Sequence, residues 1–282
     1  MDKALLKQID LMFAALNRQS AATAFPQVNA LSNLLSPHCD PSGPSPVAAK
    51  PVVLNSFATA AVEMWLRSVH SFLISTSLTQ ASPIWSSVAG YYSSHYAMRA
   101  FAHLFGVFHM HRKKRLVRLG TDGSRLVFYV DKKHGSDREH KFYWRYLSEH
   151  PELRDDPFFY ANREDVERSD GAHRNKANYA DHLDGFPIFK PLEATYLEDR
   201  IERIASMVFS DVPIPRADHF PDIDNVQIIA YHRIVKFRRL VDETVGADNR
   251  FWKIQRTPSW CPKSLTFSVV DPVYAALYAG KS

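Results

Sequence analysis

Eleven Lys/Arg residues fall between positions 112 and 145 against four Asp/Glu, a net of +7 within a chain whose formal charge is +5. The group includes Arg112, Lys113, Lys114, Arg115, Arg118, Arg125, Lys132 and Lys133, and the rest of the chain is left slightly acidic. Arginine offers phosphate a planar fork of donors and lysine a point charge. A localised cationic block is therefore the electrostatic footprint of a nucleic-acid or other phosphate-bearing partner. A solvated charged surface, or one that meets an acidic protein, is the alternative reading of the same block.

A second set of chemistry-bearing residues lies just upstream. Trp85, Val88, Tyr92, Tyr96, Arg99 and His103 recur at spacings of three and four, so they share one face of a helix predicted over 83–109. Tyr91, Met98, Ala102, Phe105 and Phe108 supply a second, apolar set. Such a helix belongs inside a bundle, either beside a polar site or buried with its polar groups hydrogen-bonded to neighbours. His109 and His111 are spaced like metal ligands, but no carboxylate or cysteine lies at a useful distance, so no metal is expected. Without a glycine-rich phosphate loop or a Gly-x-Ser-x-Gly turn, and with only ten glycines, a nucleotide-binding α/β fold and a bound cofactor are not expected.

These residues need elements to carry them. Apolar periodicity predicts helices over 3–25, 54–76, 192–209 and 226–245 besides 83–109, with a shorter one over 136–149. Pro83 suits a first helical turn, and helices joined as tightly as 54–76 and 83–109 should lie antiparallel. Two β-rich runs flank Gly120-Thr-Asp-Gly-Ser124, which reads as a hairpin whose basic arms project from the bundle. Five prolines between 36 and 51 forbid helix and mark a linker or extended arm. The expected organisation is an N-terminal helical arm with its Pro-rich linker over 1–52, a bundle over 53–246 bearing the hairpin at 112–133, and an extension over 247–282.

At 282 residues, with 45% hydrophobic and 12% aromatic content, the chain can bury a substantial core. No run of eighteen apolar residues suggests a membrane span. Lys7 and Asp10 interrupt any signal-peptide core, and Cys39 and Cys261 are too distant in sequence to suggest a metal or disulfide framework. A cytoplasmic protein is expected.

Two strings resemble one family. Ser93-Ser94-His95-Tyr96-Ala97-Met98-Arg99-Ala100, preceded by Tyr91-Tyr92, is similar to the second helix of small bacterial HEPN proteins, and Arg174-Asn175-Lys176-Ala177-Asn178-Tyr179 resembles a string those proteins place before their next helix. The likeness covers about 54–245. It implies a mainly α fold, an up-and-down four-helix bundle that is often dimeric, and a role as an RNA-binding protein or a metal-independent ribonuclease of a toxin or antiviral system. Active members use Arg-x(4–6)-His, in which imidazole moves a proton and guanidinium holds phosphate.

Arg145/His150 and Arg168/His173 match that spacing. The second lies next to Arg174 and is favoured, with Arg99, His103 and Tyr179 as supporting residues and Arg174 as an RNA contact. The first ends in His-Pro at a helix terminus and reads as a solvated surface pair. Tyr179 stands where the active pattern has histidine. That departure keeps open a non-catalytic nucleic-acid-binding or scaffold subunit that docks a partner protein. A homodimer with RNA or another nucleic acid as partner, and no membrane, is the expectation.

Overall fold

The computed structural model describes residues 3–17, 28–39, 46–79, 81–110, 115–122, 125–131, 139–156, 159 and 223–245. Its helices are α1 (Lys3–Asn17), α2 (Val28–Leu35), α3 (Pro51–Leu78), α4 (Pro83–Leu104), α5 (Glu139–Ser148) and α6 (Ile223–Val245), with a 3-10 turn at Ser36–Cys39. Four short strands, β1 (Val47–Ala48), β2 (Val107–Met110), β3 (Arg115–Asp122) and β4 (Arg125–Asp131), form one antiparallel sheet in the order β1-β4-β3-β2. The fold is thus mainly helical with a small sheet. Among the described residues no helix is long and apolar enough to cross a membrane. The predicted helix at 192–209 lies outside the described residues.

The chain divides into two compact units. One comprises Met1–Trp65, Met98–Glu152 and Leu240–Arg256; the other comprises Leu66–Ala97, Leu153–Arg239 and Thr257–Ser282. Helices α3, α4 and α6 each contribute residues to both.

In the first unit successive side chains of each strand point to opposite faces of the sheet. Phe108, Met110, Val117, Leu119, Phe128 and Val130 fall on one face, and all are buried. Phe57 of α3 meets Phe108 edge-on at 6.4 Å, His38 meets Phe128 at 5.2 Å, and the Cys39 thiol lies 3.0 Å from the Met110 sulfur. The N-terminal helices belong to this core: Ile9, Met12, Phe13, Leu31 and Leu35 are wholly buried, and the Val28 amide donates to Glu63 Oε2 at 2.8 Å. Within the Pro-rich stretch Val47 and Ala48 are extended and pair with Phe128 and Val127. The Pro-rich stretch thus holds a 3-10 turn at Ser36–Cys39 and a short edge strand, and its last proline, Pro51, opens α3.

Two sequence expectations are corrected here. The helix predicted over 83–109 stops at Leu104, and residues 107–110 are the edge strand β2. Gly106 is the cause. It takes φ +75°, donates to the His103 carbonyl at 3.0 Å, and accepts from the Leu119 amide at 2.8 Å, a left-handed cap that turns the chain from helix into sheet. A β-carbon there would come within 2.6 Å of Leu119 Cβ and 2.7 Å of Gln8 Nε2. The hairpin, moreover, is not a projecting ribbon. Strands β3 and β4 are the two central strands of the sheet, and their apolar side chains are buried in it.

In the second unit α3 and α4 lie antiparallel, joined by two reciprocal serine clasps. Ser68 Oγ donates to the Ser93 carbonyl at 2.7 Å while Ser93 Oγ donates to that of Ser68 at 2.8 Å. Ser75 and Ser86 repeat the exchange, each donating at 2.7 Å. The Gln227 amide of α6 then donates to Thr79 Oγ1 at 2.8 Å and to Ser75 and Ser86 Oγ at 3.1 Å. Gly90 permits the close approach, since a β-carbon there would sit 2.6 Å from Val226 Cγ1.

Candidate nucleic-acid interface

The other side of the sheet is mixed: Val107, Leu116 and Val127 are buried on it, and Arg118, Asp122, Arg125 and Tyr129 are exposed. Register places Arg118 directly across from Tyr129, Gly120 from Val127, and Asp122 from Arg125, all on one face. Helix α5 covers the β2 edge of that face. The His109 amide, on the outer edge of β2, donates to the Tyr143 hydroxyl at 3.2 Å, and the His109 ring stacks on Phe142 at 5.3 Å. Tyr146 follows one turn later, stacked on Phe142 at 5.9 Å. Burial pushes its hydroxyl up to about 12, with the Arg118 charge pulling the other way, so it remains a protonated donor.

Beyond α5 the face is open. Arg118, Asp122, Arg125 and Tyr129 are exposed on it, whereas the half-buried Arg115 pairs with Met110 and falls on the other face, with Val117. The Tyr129 hydroxyl donates to the Thr121 carbonyl at 3.2 Å, which lays the ring along the strand pair. A β-carbon on Gly120 would meet its Cε2 at 2.9 Å, so glycine is what lets the ring settle there. Leu116 pairs with Asp131, so the chain enters β3 and leaves β4 at the same end. Arg112, Lys113 and Lys114 precede that end in sequence, and Lys132 and Lys133 follow it. These five residues lie outside those described.

Arg99 and His103, by contrast, lie one turn apart near the end of α4, beside Tyr143. The Arg99 guanidinium sits over the Tyr143 ring at 5.8 Å, and His103 meets that ring at 6.0 Å and Phe108 at 5.1 Å. His103 has no exposed surface, and its Nδ1–H donates to the Val107 carbonyl at 3.0 Å. Burial, reinforced by the Arg99 charge and opposed by that hydrogen bond, lowers its pKa to about 3. The ring is therefore neutral at pH 7, and Nε2 has no hydrogen-bond partner among the described residues. His109 is likewise buried. Among the described residues no group of three His, Cys, Asp or Glu could hold a metal ion.

Arg168, His173, Arg174 and Tyr179 lie outside the described residues. The other Arg-x4-His pair is in view: Arg145 is exposed on the last turn of α5, while His150 is half-buried, stacked on Phe105 at 4.1 Å and edge-on to Tyr146 at 5.8 Å. Its Nδ1 accepts from the Glu152 amide at 3.3 Å, and burial lowers its pKa with Glu152 acting in the opposite sense. His150 is therefore a packed ring rather than one member of a solvated surface pair.

Two arrangements escape a reading of the sequence. One is the Tyr129–Gly120 contact, whose signal is a glycine and an aromatic two positions out of register on adjacent strands. The other belongs to the second unit, where Asp156 pairs with Lys236 and accepts from His232 Nε2 at 3.3 Å. Burial alone would raise the Asp156 pKa, but the His232 hydrogen bond and the Lys236 cation hold it far below the carboxylate range. Burial keeps His232 below its ordinary value, partly offset by Asp156. Arg233 and Lys236 both lie over the Phe159 ring, at 5.5 and 5.6 Å. The i, i+4 spacing of His232 and Lys236 was the available signal, and their carboxylate is 76 positions away.

No family model, no curated protein and no solved structure matches this chain.

Proposed function

We propose that this protein binds RNA through the open face of its sheet. One observation carries the reading. The strands at the centre of the cationic block bury their apolar side chains while Arg118 and Arg125 stand outward beside an exposed tyrosine. Outward guanidinium groups on a rigid sheet hold phosphates without a folding cost at the moment of binding. The adjoining runs at 112–114 and 132–133 extend the same positive field.

The HEPN likeness belongs to this proposal. It casts the helices as a four-helix bundle, the chain as a homodimer, and the cell's RNA, in an antiviral or toxin setting, as the target. His103 then holds α4 against β2 rather than touching RNA, because a ring with no exposed surface cannot exchange protons with a bound strand, and the half-buried Arg99 packs over Tyr143. Cleavage, in this reading, rests on Arg168 and His173 with Tyr179 as a supporting residue. It would be insensitive to chelator and abolished by H173A. Binding requires neither residue.

The test is charge reversal. R118E/R125E, both exposed, should lose RNA binding while melting as the wild type does, and wild-type affinity should fall steeply with added salt as phosphates release counterions. Binding indifferent to both changes would leave the block as ordinary surface.

A further inference from the structure

We infer that the Arg118–Gly120–Tyr129 face takes single-stranded nucleic acid, with an unpaired base stacked on Tyr129. This rests on the RNA-binding reading above and names the substrate class of that same face.

The argument starts from how the ring is held. Tyr129 is 39% exposed, although large aromatic side chains on a sheet are ordinarily covered. It is nevertheless not free to swing. Its hydroxyl is fixed on the Thr121 carbonyl, and one edge of the ring rests where Gly120 has no side chain. A ring fixed in this way loses little conformational freedom when something stacks on it.

Its neighbours define what would stack. Arg118 lies directly across the strand pair and Arg125 two pairs further along, about 13 Å from Arg118 by strand rise. Cations thus flank an aromatic platform, the combination that tracks a phosphate backbone while accepting a base. A paired base offers no free face to such a ring, because its neighbours in the duplex already cover it. Only an unpaired strand can use Tyr129, whereas the arginines serve either form. The platform is also on the open side of α5, whose Tyr146 stands beside Arg118 as a protonated hydroxyl donor.

Packing alone would also place a tyrosine over a strand glycine. The two roles separate in solution. Full-length protein is titrated by fluorescence anisotropy with a short labelled single-stranded RNA and with the blunt duplex of the same sequence. The wild type should prefer the single strand. Y129L should lose roughly 5- to 150-fold in single-strand affinity, the range of one base–aromatic stack, with duplex affinity unchanged. Y129W, which keeps a stackable ring, should retain the preference, and R118Q should weaken both ligands together. A purely structural tyrosine would instead give Y129L the wild-type ratio of the two affinities, which overturns the inference. Equal wild-type affinity for strand and duplex overturns it too, while the RNA-binding reading stands. Should Y129L fail to fold, the wild type and Y129W decide the matter by the same ratio. A protein that binds neither ligand at low salt overturns the RNA-binding reading itself.

Discussion

One unit of this protein contains two pairings of arginine with tyrosine, and they have opposite surroundings. Arg99, itself half-buried, lies over the buried ring of Tyr143 beside His103, a ring with no exposure and a pKa lowered to about 3. Arg118 lies across from Tyr129, and both are exposed. The residue types are nearly the same; solvent access is what differs. In the sealed cluster His103 Nδ1–H joins α4 to the edge strand through the Val107 carbonyl, next to the Gly106 cap. On the open face the Tyr129 hydroxyl is held on the Thr121 carbonyl while the ring and Arg118 stay exposed. A cation and an aromatic in sequence therefore identify a candidate site only once the fold has shown which of them meets water.

The comparison can be broken first at the sealed end. G106V should be the most damaging single change, because it combines a left-handed backbone at a β-branched residue with a clash against Leu119. Strain of about 1–3 kcal/mol and overpacking of about 1–3 kcal/mol should both appear as a lower urea midpoint. A midpoint equal to that of the wild type would mean the helix-to-strand junction is far softer than the geometry implies.

Acid should act on the same cluster. The folded pKa of His103 lies near 3 and its unfolded value near 6.5, so the unfolded chain takes up the proton first. Its contribution to stability is full above pH 6.5 and falls as the pH drops toward 3, by at most about 1.4 kcal/mol per pH unit. His150 and His232, also lowered, add in the same direction. H103L, which cannot titrate, should flatten this acid-side slope in urea melts taken across that range. An unchanged slope would place the acid sensitivity elsewhere.

The second unit offers the smallest expected effect. S68A/S93A removes one reciprocal clasp and should cost about 1 kcal/mol for each hydrogen bond removed in thermal unfolding, without altering RNA affinity.

How much of this could be read from sequence follows from which contacts are local. The β3–β4 hairpin was legible because its turn residues and β-rich arms are neighbours in the chain, and the antiparallel α3–α4 pair followed from a tight connection. The end of α4 was not. Phe105 and Phe108 continue the helical spacing past Gly106, and only the β2–β3 pairing shows that residues 107–110 are extended. Strand β1 was hidden among prolines because its partner, β4, lies about eighty positions further on. The cationic block was visible as a charge count, but the Tyr129 platform required the register that sets Arg118 opposite it. The burial of His103 was equally hidden, since both faces of α4 carry aromatic and polar residues. Arg168, His173 and Tyr179 lie outside the described residues, so the fold adds nothing to their reading.

The central claim is that the open Arg118–Tyr129 pair meets RNA while the buried His103–Tyr143 cluster only supports the fold. A salt titration of single-stranded RNA affinity tests it most directly, comparing wild type, R118Q/R125Q and H103L. The account predicts a steep log–log slope for the wild type, one shallower by about 0.7 for each phosphate that R118Q/R125Q no longer neutralises, and a wild-type slope in H103L. A wild-type slope in R118Q/R125Q, or a shallower one in H103L, would contradict it.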